Sequence, residues 1–120
     1  MVRPDRGQSI DEEGPGAVAA FAERMEGVIS DAYLALTTSV GHRTGLFDTM
    51  AGRPPSTSAE LAAAAGLQER YVREWLGAMV LGGIVEHDPG HASFRLPPEH
   101  AASLTRAARS GNLAMMAQYV

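Results

Sequence analysis

His87, Asp88 and His91 lie within the stretch EHDPGH, and two imidazoles with one carboxylate are groups able to bind a metal ion. A stable metal site needs three or four ligands held from behind by supporting hydrogen bonds. These three residues flank Asp88-Pro89-Gly90-His91, a strong type I or II turn signal. They read as solvated hairpin residues, and no metal is expected. No serine, histidine and acid fall at a spacing that suggests nucleophilic catalysis, and separated single residues do not make a triad. No catalytic residue is therefore expected. The chain has no cysteine, which excludes disulfides and thiolate metal sites.

A second chemistry is phosphate recognition by cations. The basic residues number ten, all arginine, against fourteen acids, for a net charge of −4. Such a chain has no overall basic field to attract a polyanion. Arg53, Arg70 and Arg73 are the residues placed to touch nucleic acid. Across Ser56 to Leu96, however, three arginines stand against five carboxylates, whereas a module that neutralises about six to ten phosphates gains most of its affinity from basic side chains. The turn HDPGH holds no arginine or lysine to enter a minor groove.

The elements that position these residues follow from periodicity. Residues 1–16 are polar, acidic and rich in glycine and proline, and read as a disordered leader. From Ala17, Val18, Phe21, Met25, Val28, Ala32, Leu36 and Val40 recur every three or four residues, the stripe of a helix. Gly27 and the Ser30-Asp31 pair are expected to divide it into two helices, with a short further piece around Leu46 to Met50. The stripe is too long for one small domain to cover, so dimerisation through Phe21, Met25, Val28 and Leu36 is expected.

Within TSAELAAAAGLQERYVREWL, Thr57 and Glu60 form a capping box, worth on the order of 1 kcal/mol to a helix end. The spacing predicts a short helix from Ala59 to Ala65, a left-handed turn at Gly66, and a second helix from about Gln68 to Leu81. Val72, Leu76, Met79 and Val80 should be its buried face, and Tyr71, Glu74, Ala78 and Leu81 its outward ridge with Arg70 alongside. Ile84-Val85-Glu86 and Ser93-Phe94-Arg95-Leu96 read as strands of a hairpin. PPEHAASL restarts a helix with proline in its first turn, and Asn112 should cap a last one. The fold class is mostly α: a winged helix-turn-helix with a short antiparallel β-hairpin and long N-terminal dimerisation helices. The domain plan is a leader at 1–16, dimerisation and lid helices at 17–50, the winged helix-turn-helix at 51–104, and the start of a linker helix at 105–120. Trp75, Met79, Met115, Met116 and Tyr119 could form an apolar wall, which core packing or a subunit contact explains with less assumption.

GHRTGLFDTMAG, STSAELAAAAGLQERYVREWLGAMV, GGIVEHD and FRLPPEHAASLTR occur in this order. Together they resemble the N-terminal winged-helix domain of a family of bacterial S-adenosylmethionine-dependent methyltransferases, whose members are sometimes labelled transcriptional regulators. Small-molecule O-methyltransferases carry a similar leading domain. The resemblance covers Phe21 to Val120. It implies a homodimer, and a domain that lids a substrate pocket while a following Rossmann-like domain binds S-adenosylmethionine. No strand, glycine-rich turn and helix of that kind is read in this chain, so it is expected not to methylate anything by itself. By the same resemblance, Tyr33, His42 and Arg43 could face the substrate or cofactor beneath the lid. The alternative is that His42 caps a helix end through a backbone carbonyl and Arg43 is solvated. A small-molecule substrate is expected only with a catalytic domain. The alternative function is a DNA-binding winged-helix regulator. Without a signal peptide or a long apolar run, the chain reads as cytoplasmic, with no membrane partner.

Overall fold

The computed structural model describes residues 14–108 and 111–119. Pro15–Arg43 form α1, Leu46–Met50 α2, Ser58–Ala65 α3, Glu69–Leu81 α4, Glu86–Asp88 β1, Ser93–Arg95 β2, Pro98–Leu104 α5 and Leu113–Met116 α6, followed by a 3-10 turn at Ala117–Tyr119. By its internal contacts the chain divides after Ala32 into two units.

Within the first unit α1 begins at Pro15, directly after Gly14, and none of the described residues as far as Ala32 is buried. Gly27 and Ser30-Asp31, expected to separate a pair of helices, lie inside one continuous helix of 29 residues. An interior glycine costs about 1 kcal/mol relative to alanine, too little to interrupt so long a run. A serine or aspartate caps only where the backbone leaves helical angles. The expected leader falls, for residues 1–13, outside the described residues. Pro15 and Gly16, assigned to that leader, instead open α1, where proline forfeits no hydrogen bond.

The second unit holds the core. Leu46, Phe47 and Met50 of α2 are buried with Leu61 of α3 and Val72, Leu76 and Met79 of α4. Val80, expected on the same face, is half-buried, and Trp75 takes the fourth buried place. Its ring meets Phe47 edge-on at 5.2 Å between centroids, and its Nε1–H donates to the Thr37 carbonyl at 2.8 Å. A buried indole needs such an acceptor.

Local chemistry sets the helix ends. Thr57 Oγ1 accepts from the Glu60 N–H at 3.1 Å, and the Glu60 carboxylate accepts from the Thr57 N–H at 2.8 Å. Gly66, at φ +71°, turns the chain out of α3 so that the Leu67 N–H reaches the Ala62 carbonyl at 2.9 Å. The same device recurs after α4: Gly83 at φ +75° lets the Ile84 N–H bond the Met79 carbonyl at 2.9 Å. These six-to-one bonds satisfy carbonyls that a helix end would otherwise orphan.

That second turn explains a correction to the hairpin. Ile84 and Val85 were expected in the first strand, but the Val85 N–H also bonds the Met79 carbonyl, at 3.2 Å. Both N–H groups are spent closing α4, so pairing begins at Glu86. The register is Glu86 with Arg95, His87 with Phe94, and Asp88 with Ser93, antiparallel, which also ends β2 before Leu96. Asp88 Oδ1 accepts from the Gly90 N–H at 3.0 Å and stiffens the turn. Ser56 adds a bridge to Phe94 through two backbone bonds, at 3.0 and 2.8 Å, tying the Pro54-Pro55 linker to the hairpin. Downstream, Asn112 caps α6 by accepting from the Met115 N–H at 3.0 Å. Within 105–120, where the start of a linker helix is expected, the helical turns among the described residues are Leu113–Met116 and the 3-10 turn that follows it.

The capping box supplies a pH-dependent prediction. Hydrogen bonds from the Thr57 backbone and then its hydroxyl hold the Glu60 carboxyl below its ordinary value. A carboxyl with a lowered folded-state pKa stabilises the fold above its unfolded value of about 4.5, and this contribution is lost as pH falls through the lower folded value. Glu60→Ala, which removes the titrating carboxylate from the box, is expected to destabilise the fold near neutrality. Denaturant midpoints should show the penalty shrinking as the pH drops below the carboxylate range, and a penalty constant from pH 7 to 3 would contradict the reciprocal cap.

Candidate functional site

The outward side of α4 is the surface on which a helix-turn-helix meets its target. It presents Tyr71, Glu74, Ala78 and Leu81, the last 91% exposed. Its two arginines are already engaged on the same helix. Arg70 Nε lies 3.6 Å from Glu74, and Arg73 Nε 3.5 Å from Glu69, both at i,i+4 spacing. Each pair cancels its own charge, leaving no basic track for a phosphate backbone. Arg53 is exposed in the linker between α2 and α3, near the carboxylate of Glu60, whose pKa it helps lower.

Beside this ridge a shallow groove of about 170 Å³ opens between α4 and the stretch of α1 that belongs to the second unit. Tyr33, Thr37 and Val40 form one wall, and Tyr71, Glu74, Trp75 and Ala78 the other. Of the three candidate lid residues the structure brings only Tyr33 here. His42 lies nine residues on, about 14 Å along the helix and on its other side, and Arg43 follows it. The His42 ring meets the Asn112 amide, Nδ2 to Nδ1 at 3.3 Å, while the Arg106 guanidinium donates to the His42 carbonyl at 2.8 Å and pairs with Asp48. Arg43 is exposed. The groove as a unit was not read from the sequence, because its walls stand more than thirty residues apart and join only when Trp75 docks on Thr37.

Of the five apolar residues for which core packing or a subunit contact is preferred over a ligand-binding wall, Trp75 and Met79 are buried in the core, while Met115, Met116 and Tyr119 are exposed. In the hairpin, His87 stacks on Phe94 at 4.5 Å, His91 Nδ1 meets Asp88 Oδ2 at 2.7 Å, and Arg95 pairs with Glu86 at 2.8 Å. The two imidazoles are thus turned to different partners, and among the described residues no three acids or histidines are grouped to hold a metal.

Gly14-Pro15-Gly16 matches the opening letters of a dinucleotide-binding loop. Such a loop must follow a strand of a parallel sheet, and the sheet among the described residues is the antiparallel pair β1 and β2. No helix among the described residues is long and apolar enough to cross a membrane.

A helix pair joined through Gly66 and followed by a two-stranded wing defines a winged helix-turn-helix. The chain belongs to the Rv2258c-like winged HTH domain family, whose model matches residues 32–106. Among solved structures it is similar to the mitomycin 7-O-methyltransferase MmcR, with 26% identity and a TM-score of 0.69 over 88% of this chain. It is also similar to CalO1, a methyltransferase in calicheamicin biosynthesis in its SAH-bound form, at 26% identity and a TM-score of 0.58 over 78% of this chain. Human N-acetylserotonin methyltransferase, in complex with SAM, shares the fold at 20% identity and a TM-score of 0.67 over 82%. The chain spans 30%, 26% and 29% of those three structures, respectively. No curated protein matches it.

Proposed function

We propose that this chain is the non-catalytic dimerisation and substrate-lid module of a methyltransferase-type protein, in which methyl transfer from S-adenosylmethionine belongs to a Rossmann-like domain outside these 120 residues. The observation that carries the reading is the uncovered apolar face of α1. Phe21 is 59% exposed and Val28 50%, with Val18, Met25 and Ile29 exposed beside them. A helix segment standing on its own in water is marginal, because most helical stability in proteins comes from packing an apolar face. A second copy presenting the same face would cover it. Leu36, 63% exposed further along α1, extends the candidate interface. Tyr33, His42 and Arg43 are the residues proposed to face a substrate, and a small molecule would be met only with the catalytic domain present. Sedimentation of the chain over a wide concentration range is expected to give a dimer, and a monomer at every concentration would overturn the reading.

The carboxylates of Glu69 and Glu74 interleaved with Arg70 and Arg73 along α4 weigh against the DNA-binding alternative, since they offset the positive charge that a phosphate backbone needs. A labelled duplex titrated with the chain at low salt is expected to show no saturable binding. Binding that weakens steeply with added salt, and is lost when Arg70 and Arg73 are replaced by alanine, would establish the regulator instead.

A further inference from the structure

The groove between Tyr33 and Tyr71 has a lining that, Tyr33 apart, the dimer and lid roles leave without a use. Tyr33, Tyr71 and Trp75 line it together with the smaller Thr37, Val40 and Ala78, and Glu74 is its one charged lining residue. Aromatic faces carry negative partial charge and attract cations. A carboxylate in the same wall has the same preference. An anion would be repelled by both, and a neutral apolar group would cover Glu74 without offering it a partner. Small metal cations are strongly hydrated and seek oxygen ligands in number, of which the groove offers few. The remaining chemistry is a cation wrapped in methyl or methylene groups. We propose that this groove binds a small quaternary or alkylated ammonium group, cradled by Tyr33, Tyr71 and Trp75 and paired with Glu74.

Size and rigidity agree with that occupant. At about 170 Å³ the groove is smaller than the roughly 300–1,000 Å³ of sites that enclose a drug-sized ligand, so it fits a headgroup rather than a whole multi-ring substrate. Trp75 is held in place before any ligand arrives, by its bond to the Thr37 carbonyl and by the Phe47 edge, and a preformed wall spares the ordering cost of binding. Arg70 is the internal competitor for Glu74. That pair is 3.6 Å apart with side chains 81% and 69% exposed, and ion pairs so open to water contribute little. A cation seated against the rings can therefore displace it. The residues that line the groove all belong to the second unit.

Trp75 is the single tryptophan of the chain, so intrinsic fluorescence reports on this groove directly. The 120-residue chain is titrated with choline at constant ionic strength, and in parallel with 3,3-dimethyl-1-butanol, the uncharged isostere. Choline is expected to give a saturable fluorescence change with an affinity about tenfold or more above that of the isostere. Glu74→Gln should weaken choline severalfold, Tyr71→Phe should preserve it, and Tyr71→Ala should abolish it. Tyr71 and Glu74 are exposed, so circular dichroism should show all three variants folded. A response that never saturates, equal responses to choline and its isostere, or an unaltered affinity in both Glu74→Gln and Tyr71→Ala would each overturn the assignment.

Discussion

Phe21→Asp is expected to sediment as a monomer at concentrations where the parent chain is a dimer. Burying the exposed portion of a phenylalanine is worth roughly 1–2 kcal/mol, and a two-fold interface loses it twice. A carboxylate left without a partner in the contact adds its desolvation cost. A total of about 3–5 kcal/mol raises the dimer dissociation constant by roughly two to four orders of magnitude, well beyond the resolution of sedimentation. Val28→Asp should act in the same direction. Ser30→Asp is the control: it lies nine residues from Phe21, on the opposite side of α1, and is exposed, so it should leave the dimer intact. None of these side chains belongs to the core, so loss of the dimer would not be loss of the fold. An unchanged sedimentation coefficient in both Phe21→Asp and Val28→Asp would remove α1 from the interface.

Gly41→Ala is expected to lower the melting temperature by several degrees, although alanine is the better helix former. A Cβ at position 41 would sit 2.5 Å from Phe47 Cε2 and 2.5 Å from Trp75 Cζ2, where carbon atoms prefer about 3.5–4.0 Å. Neither ring can simply step aside: Phe47 is 1% exposed, and Trp75 is tethered to Thr37. Overpacking of this kind costs typically about 1–3 kcal/mol, against a helix-propensity gain of at most about 1 kcal/mol, so the clash wins. Gly77→Ala isolates the opposing term, because a Cβ there meets nothing within 4 Å and should stabilise by about 0.5–1 kcal/mol. Each melt must be run at one protein concentration, since association shifts the apparent midpoint. A Gly41→Ala chain as stable as the parent would mean that Phe47 and Trp75 are not packed against α1 as described.

The features of this fold legible in advance share one property: their causes are complete within a few residues. The Thr57–Glu60 box, the left-handed Gly66, the Asn112 cap and the Asp88–Gly90 turn each close hydrogen bonds over at most five positions, and each appears where the residue types place it. The winged-helix class follows from their order, and the acidic, self-paired outward side of α4 follows from i,i+4 spacing. Tertiary structure decided the rest, because there the competing partner is remote or the balance is fine. Whether Ile84 and Val85 extend a strand or finish a helix depends on which acceptor takes their N–H groups, and the Met79 carbonyl took both. Whether Gly27 breaks α1 is a contest of about 1 kcal/mol against a long helical run. The groove of Tyr33, Tyr71, Glu74 and Trp75 exists because an indole 38 residues away finds the Thr37 carbonyl, a contact that no local periodicity encodes.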